Sequence, residues 1–331
     1  MNNIIATIPH YSCDICGAKG ATLYPETQDL LFGVSGSYSY SQCSNPECEL
    51  IWQNPMIIPE EAGRAYENYY THAEGKMKKK GLLLRRIARV PAHLSDSIFL
   101  KLFGIKKLRK KMRYMGLLGT APGHLLEIGC GRGEKLILFR DLGWQVTGQE
   151  IDPNAAKHAS QQSGINVLCG DLPSLNLEGE KFDAIIMSHV IEHIFDIPGY
   201  LRECLRLLKP GGRLIITTPN GNSLGHKKFR EFWRGLEPPR HLHIFSPKNM
   251  QLALQNADFD TTEIWSNAAG SRGVFEASYQ LRDNGQPTHN KYPKTLIYYK
   301  SIYLQYKEWV MCRRGTACGE ELVATATKST T

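Results

Sequence analysis

The chain has 331 residues, 42% of them hydrophobic, and a formal net charge of +8. This composition suits a folded protein with one large and one small domain. No run approaches the roughly 18 apolar residues that cross a bilayer, and residues 1–11 lack the basic start and apolar centre of a secretory signal. We therefore expect a cytoplasmic protein whose nine cysteines are thiols or metal ligands and not disulfides.

Two short-range cysteine pairs are the first feature along the chain, and a stretch rich in Gly, Ser and Tyr separates them. They are Cys13 with Cys16 and Cys43 with Cys48. Four thiolates can enclose one Zn²⁺ in a closed tetrahedral site and hold together a segment that is too short for its own core. The spacing predicts a structural zinc ribbon within residues 1–58. Free cysteines remain the alternative, because the second pair is CxxxxC and not CxxC.

A strongly basic segment follows the ribbon. Residues 76–113 hold 14 Lys and Arg against Asp96 alone, which is more than the whole net charge of the chain. Apolar residues recur there every three or four positions, at Ile87, Val90, Leu94, Ile98, Leu102 and Ile105. We expect an amphipathic helix, interrupted near Pro91, within a segment spanning 59–118. It either packs on the core as a lid or lies on the anionic inner surface of the membrane, and RNA is a third alternative.

A glycine-rich turn then follows a buried strand. Leu125, Leu126 and Ile128 predict the strand, and Gly129, Gly131 and Gly133 the turn. The next helix is predicted over 135–142, with apolar positions 136, 139 and 142 on one face. Glycine tolerates positive φ and lets a ligand approach the backbone without a Cβ in the way. The turn therefore predicts a ligand close to the chain.

Acidic residues end the next two predicted strands. The strand over 144–148 leads to Glu150, about 20 residues past the glycines, where a carboxylate can accept hydrogen bonds from ribose hydroxyls. The strand over 165–168 leads to Asp171, which is placed to meet an adenine amino group. Three successive strand ends converge on one ligand. Together they predict a pocket for an adenosine-bearing cofactor.

Strands alternate with helices over residues 119–269, and Asp152 with Pro153 and Ser246 with Pro247 start two of the helices. This pattern predicts an α/β fold with a doubly wound, mostly parallel sheet of seven strands. The last strand is predicted at 321–326, within residues 319–331.

Residues 270–318 then form a helical insertion, which is placed where it could cover an acceptor site. Its stripe of Tyr298, Ile302, Tyr306 and Trp309 is predicted to pack on the core.

These motifs together resemble the class I S-adenosylmethionine-dependent methyltransferases. The likeness rests on ExGCGxG at 127–133, Glu150, Gly170 with Asp171, FDAIIMSHVIEH at 182–193 and LKPGGRLIITTPN at 208–220. It implies S-adenosylmethionine as the cofactor, bound by Glu127, Gly129, Gly131, Gly133, Glu150, Asp171, Leu172, Ser188 and His189. A nicotinamide enzyme is the alternative for the glycine turn alone, but such enzymes carry GxGxxG where this chain has GxGxG.

The ribbon, followed by CELIWQNP at 48–55 and by Tyr66, Tyr69 and Tyr70, is similar to a subset of these enzymes with an N-terminal zinc-binding module. Members of that subset often act on sugars. The resemblance implies a small-molecule acceptor that contains a sugar, linked to a nucleotide or a lipid. It favours methylation of oxygen and leaves carbon or nitrogen open.

Methyl transfer to a hydroxyl needs an aligned acceptor and a base that removes its proton. Glu192 and His193, in the loop after the fourth strand, are candidates, and His241 in PPRHLHIFSP is a second histidine. Histidine is favoured because its pKa lies near neutrality. His241 and His243 should point to opposite faces of an extended chain, so one of them reaches the site. Helix capping is the alternative role for Glu192 and His193.

Two other functions stay open. An RNA base methyltransferase would hold phosphates with the ribbon and the basic segment, although residues 188–193 lack an NPPY-like motif. Nucleic acid is therefore the less favoured partner. A cofactor-binding scaffold without catalysis would leave a complete set of cofactor positions idle.

Overall fold

The computed structural model describes residues 4–66, 104–162, 164–284 and 294–330. In chain order its strands are β1 (Thr7–Ile8), β2 (Gly20–Thr27), β3 (Tyr38–Cys43), β4 (Ile51–Gln53), β5 (Met56–Ile57), β6 (His124–Ile128), β7 (Gln145–Glu150), β8 (Asn166–Cys169), β9 (Phe182–Ser188), β10 (Leu208–Pro219), β11 (His243–Ile244), β12 (Thr261–Asn267) and β13 (Glu321–Thr327). Its α-helices are α1 (Ile105–Arg113), α2 (Glu134–Arg140), α3 (Pro153–Ser160), α4 (Ile197–Leu207), α5 (Leu224–Phe229), α6 (Pro247–Asn256), α7 (Ser271–Asn284) and α8 (Lys294–Arg313). Short 3₁₀ helices cover Pro59–Tyr66, Leu172–Leu175, Ile191–His193 and Arg230–Phe232.

The central sheet has seven strands in the order β12-β13-β10-β9-β6-β7-β8. Strands β6 to β10 run parallel to one another, whereas β13 lies antiparallel between β10 and β12. This confirms the predicted mostly parallel α/β sheet of the Rossmann-like kind. Because the strands are parallel, the residues that follow β6, β7, β8 and β9 meet at one edge of the sheet. That edge carries the predicted site.

Helix α2 ends earlier than the sequence predicts. Leu136 and Phe139 are fully buried, as expected, but Leu142 lies beyond the helix and is 38% exposed. The chain turns at Gly143, where φ is +92°, and the Trp144 amide donates to the carbonyl of Phe139. Trp144 is itself 5% exposed and packs edge-on against Phe139. The indole thus takes the core position that the helical pattern assigned to Leu142.

Residues 4–66, here called the N-terminal segment, supply three of the four strands of a second sheet. Strands β2, β3 and β4 are antiparallel, and β11, from the far end of the core, pairs with β4. One hydrophobic cluster contains Leu50 and Trp52 of this segment together with Leu126 and Met250 of the core. The predicted ribbon therefore shares both a sheet and a core with the rest of the protein.

The insertion consists of helices α7 and α8, which pack on each other. The face that α8 buries carries Ile297, Ser301, Leu304, Gln305 and Glu308. The predicted buried stripe is wrong at Tyr306, which is 38% exposed. Apolar spacing misled the prediction, because this helix buries three polar side chains.

Helix α1 begins at Ile105, which is fully buried. The remainder of the predicted basic helix, over 87–102, lies outside the described residues. Among the helices that are described, none combines the length and the apolar character that a bilayer span requires.

Candidate active site

The glycine turn after β6 adopts the conformation that its sequence predicts. The φ angles of Gly129, Gly131 and Gly133 are +64°, +54° and +80°. A Cβ on Gly129 would lie 2.6 Å from a methyl carbon of Val190, whereas a Cβ on Gly131 would meet no atom within 4 Å. The backbone at Gly131 thus faces open space, as a turn that cradles a ligand requires.

Glu150 sits beside this turn at the end of β7 and is 8% exposed. One carboxylate oxygen accepts the Gly131 amide at 2.7 Å, and the other accepts the Asp152 amide at 2.9 Å. Each oxygen can accept a second hydrogen bond. The arrangement leaves one acceptor position on each oxygen, which suits two neighbouring ribose hydroxyls.

Glu127, next to the last residue of β6, is 4% exposed, and its Oε2 has no hydrogen-bond partner within the described part of the chain. Burial raises the pKa of Glu127 to about 8, although the Lys135 ammonium acts in the opposite direction. A buried oxygen without a hydrogen-bond partner indicates a missing cationic or donor group. The ammonium group of S-adenosylmethionine meets that description, so the residues present fit this cofactor.

The other predicted cofactor residues differ in exposure and in hydrogen-bond partners. Asp171 is exposed and accepts the Tyr200 hydroxyl. Ser188 accepts a hydrogen bond from Lys135 at 2.8 Å. The side chain of Leu172 is fully buried in the main core, so any contact of Leu172 with the cofactor must come from its backbone.

The candidate catalytic residues come together although they are distant in sequence. One ligand atom each from Glu192, His193 and His241 lies within 4.8 Å of the others, and the two imidazole centroids are 4.8 Å apart. His193 Nδ1 donates to the Arg240 carbonyl at 2.8 Å, and His241 Nδ1 donates to the Gly235 carbonyl at 2.7 Å. Both tautomers therefore carry the lone pair on Nε2. Either a proton or a cation could be held between them.

His243 takes a different direction from His241, as the extended chain predicts. It is fully buried, and its Nε2 lies 2.7 Å from Asp14 in the N-terminal segment. His243 therefore contacts the turn between Cys13 and Cys16 and lines neither of the two cavities described below.

The protonation states in this cluster differ because the surroundings differ. Burial opposes the ionisation of Glu192, but His189, with further help from His193 and His241, lowers the pKa of Glu192 to about 2. Burial lowers the pKa of His241 to about 4, against the attraction of Glu237. At neutral pH the cluster thus holds an ionised carboxylate beside a neutral imidazole.

His189 has the opposite character. Loss of water around the ring disfavours its charged form, yet Glu192 at 3.3 Å and Glu321 at 2.9 Å raise the pKa of His189 to about 10. Its φ is +56°, and 49% of its side chain is exposed. The contacts with Glu192 and Glu321 favour the protonated form of His189 and so disfavour it as the base.

Two cavities meet at His189 and Glu321, which line both. The first, of about 410 Å³, extends over Lys135, Ser188 and Thr217 on the glycine-turn side. The second, of about 460 Å³, extends over His193, His241 and the first turn of α7. The insertion therefore does border the second cavity. Of the residues predicted to bind the cofactor, Ser188 and His189 line the first cavity, whereas Glu150 and the glycines of the turn do not.

Four site residues were not predicted from the sequence: Asp29, Thr218, Glu237 and Glu321. Thr218 donates to Glu192 at 3.0 Å, and Asp29 and Glu237 both bind the Arg240 guanidinium. The contacts of Thr218 and Asp29 span 26 and 211 residues, and no local pattern could have signalled them. Glu237 lies three residues before Arg240, so its contact is local.

The four N-terminal cysteines also form one group. The Sγ atoms of Cys13 and Cys48 are 3.6 Å apart, those of Cys16 and Cys43 are 3.4 Å apart, and all four lie within 4.8 Å of one another. Tetrahedral zinc with Zn–S bonds of about 2.3 Å would place its sulfurs about 3.8 Å apart. The geometry of this group is close to that of a structural zinc site.

Residues 100–264 match the family described as a methyltransferase domain. Over 137 residues the chain is 30% identical to a malonyl-[acyl-carrier protein] O-methyltransferase of Serratia marcescens. The aligned region covers 41% of this chain and 53% of that protein. Over 118 residues it is 33% identical to a ubiquinone biosynthesis O-methyltransferase of Coxiella burnetii, with 34% and 50% covered. The chain thus spans about half the length of these curated relatives.

Among solved structures, the chain is similar to an S-adenosylmethionine-dependent methyltransferase from Archaeoglobus fulgidus. The identity is 20% and the TM-score 0.46, over 70% of this chain and 98% of the other. The residues that match the methyltransferase domain, 100–264, include the five parallel strands β6 to β10 of the central sheet.

Proposed function

We propose that this protein transfers a methyl group from S-adenosylmethionine to a hydroxyl of a small acceptor that contains a sugar. The observation that carries the proposal is the meeting of Glu192, His193 and His241 beside a cavity that adjoins the cofactor side at His189. The Serratia and Coxiella relatives are both named as O-methyltransferases, which favours oxygen as the acceptor atom.

On the cofactor side, this chain's residues bind and orient the donor. Glu150 would hold the ribose, Glu127 the ammonium group, and the open backbone at Gly131 would leave room for the ligand. When bound, the cofactor supplies a methyl group that its sulfonium has already activated. The protein then has to align the acceptor, and such alignment can contribute about 7 to 11 kcal/mol.

On the acceptor side, His193 is the proposed base. Its Nδ1 donates to the Arg240 carbonyl, so Nε2 can take the proton of the acceptor hydroxyl. The Glu192 carboxylate, fully buried and ionised, would stabilise the imidazolium that forms. A general base of this kind contributes roughly 10²- to 10⁴-fold in rate. His241, as the neighbouring neutral imidazole, is the second candidate.

A sugar-containing acceptor is consistent with the lining of the second cavity. Its polar groups include His193, Arg234, Glu237 and Asn267, which can donate to or accept from hydroxyl groups. The resemblance at 48–55 to methyltransferases that act on sugars points the same way.

We also propose that Cys13, Cys16, Cys43 and Cys48 hold one structural zinc ion. The sulfur distances support this, and the closed group leaves no coordination position for a substrate. Zinc would fix the start of β2 and the end of β3, because Cys43 closes that hairpin.

The proposed function is tested by incubating the protein with methyl-labelled S-adenosylmethionine and a set of nucleoside diphosphate hexoses. Label should appear in at least one acceptor and should fall about 10²-fold or more with His193→Gln. The matched control is His158→Gln, on helix α3 away from the cluster. Cofactor binding without transfer to any acceptor would favour the scaffold, and transfer to RNA would favour the base methyltransferase.

A further inference from the structure

The N-terminal segment makes an unusual concentration of contacts with the chain around His241. The Tyr40 hydroxyl donates to the His241 carbonyl at 2.9 Å. The Gln53 amide donates to the Leu242 carbonyl at 2.8 Å, and β4 pairs with β11 immediately after it. These bonds fix the backbone on the C-terminal side of His241.

Arg240, the residue before His241, is held by the same segment. Its guanidinium makes a bidentate pair with Asp29, at 2.8 and 2.9 Å, and donates to the Ala65 carbonyl at 3.0 Å. The side chains of Arg240 and Asp29 are 0% and 1% exposed. Glu237 completes the set of acceptors. A buried bidentate pair fixes both orientation and distance.

This anchoring reaches His193 as well. The Arg240 carbonyl accepts the Nδ1 proton of His193, and the Tyr66 hydroxyl lies 3.0 Å from the same nitrogen. The Tyr66 ring also packs edge-on against the imidazole. Both candidate base histidines are therefore placed by residues 29–66, which belong to neither of the histidines' own segments.

We propose that Tyr40 and Tyr66 are positioning residues, through which the N-terminal segment sets the orientation of His241 and His193. The proposal rests on the methyl transfer proposed above. It assigns the segment a part in turnover that is separate from holding zinc. Because a displacement of about 1 Å at a reacting group can cost 10²-fold in rate, small losses of anchoring should be visible in kcat.

The test compares three variants of the full chain that each remove one hydroxyl and keep the ring. Tyr40→Phe and Tyr66→Phe remove the positioning contacts. Tyr24→Phe is the matched control, because Tyr24 also joins this segment to the core, through a 2.8 Å contact with His226 outside the catalytic cluster. Each variant is assayed with the nucleoside diphosphate hexoses, and its affinity for S-adenosylhomocysteine is measured by calorimetry.

The expected result is a fall in kcat of about 10-fold or more for Tyr40→Phe and Tyr66→Phe, with acceptor KM and cofactor affinity nearly unchanged. Tyr24→Phe should keep the wild-type kcat. Equal kcat values for all three variants would overturn the proposal. So would parallel losses of kcat and cofactor affinity, because a general structural defect would produce them.

A second measurement does not depend on turnover. In the full chain with ¹⁵N-labelled histidine, the ring nitrogen signals of His193 and His241 should change in Tyr66→Phe and Tyr40→Phe respectively, and in neither case with Tyr24→Phe. Unchanged signals in both would refute positioning even if the enzyme is active. If wild-type protein methylates nothing but these signals move, the proposed function fails and the positioning contacts stand.

Discussion

Replacing Glu150 tests the cofactor site at the residue where the structure gives a magnitude. Its two oxygens accept the Gly131 and Asp152 amides, which leaves one further acceptor position on each. Hydrogen bonds to a charged group contribute about 1.5 to 3 kcal/mol each. Losing one or two of them, with water filling part of the gap, should weaken cofactor affinity by about 10- to 100-fold in Glu150→Ala.

Glu150→Gln should lose nearly as much. A glutamine keeps one acceptor oxygen, but its amide group would face the N–H of Gly131 or of Asp152, where two donors repel. The assay is calorimetric titration with S-adenosylhomocysteine at constant salt. Glu178→Ala, at an exposed carboxylate outside the site, is the control and should leave affinity unchanged.

Thermal unfolding of the ligand-free variants checks that the glycine turn survives the substitution. A dissociation constant for Glu150→Ala that equals the wild-type value would refute the assignment of Glu150 to the ribose.

Three further outcomes follow from the structure. The pKa of Glu127 is raised to about 8, so most molecules carry a protonated Glu127 at pH 7. Pairing of Glu127 with the ammonium group of the cofactor should therefore release a proton. Equal binding enthalpies in buffers of different ionisation enthalpy would contradict this release. For Glu237, burial is outweighed by His241, Arg234 and Arg240, which lower its pKa from 4.5 to about 2. Such a carboxylate stabilises the fold above its unfolded pKa and loses that contribution as the pH falls towards 2. Wild-type protein should therefore lose about 3 kcal/mol more unfolding free energy than Glu237→Gln between pH 5 and pH 2. Finally, elemental analysis should find one zinc per chain in wild-type protein and none in Cys43→Ser. Because the N-terminal segment shares a core with the central sheet, the variant should also unfold at a lower temperature. Metal-free wild-type protein would rule zinc out.

Local patterns were sufficient to predict the central sheet. The strand-turn-helix signal around Gly129 to Gly133 and the acidic residue at the end of β7 both lie within about 25 residues, and both occur where predicted. Local patterns did not predict which side chains are buried where packing against other residues determines burial. Leu142 is exposed because Trp144 fills its place, and α8 buries Gln305 and Glu308 because neighbouring segments supply their surroundings.

In the candidate site, too, the sequence predicted residues by their type but not their long-range contacts. Glu192, His193 and His241 were candidates by residue type and by resemblance, and the structure brings them within 4.8 Å. What surrounds them could not be predicted, because Asp29 and Arg240 are 211 residues apart in sequence and Tyr66 and His193 are 127 apart. The pairing of β4 with β11 is a long-range event of the same kind. Because the sequence does not reveal this pairing, the sequence alone predicts an independent ribbon for the N-terminal segment.

The most direct test of the central claim is a crystal structure of the protein soaked with S-adenosylhomocysteine. We expect the ribose hydroxyls on the Glu150 carboxylate, the amino group near Glu127, and the sulfur directed towards the cavity that holds His193 and His241. Density for the ligand elsewhere, or a crevice at the carboxyl edge of the sheet filled by protein side chains at saturating ligand, would contradict it.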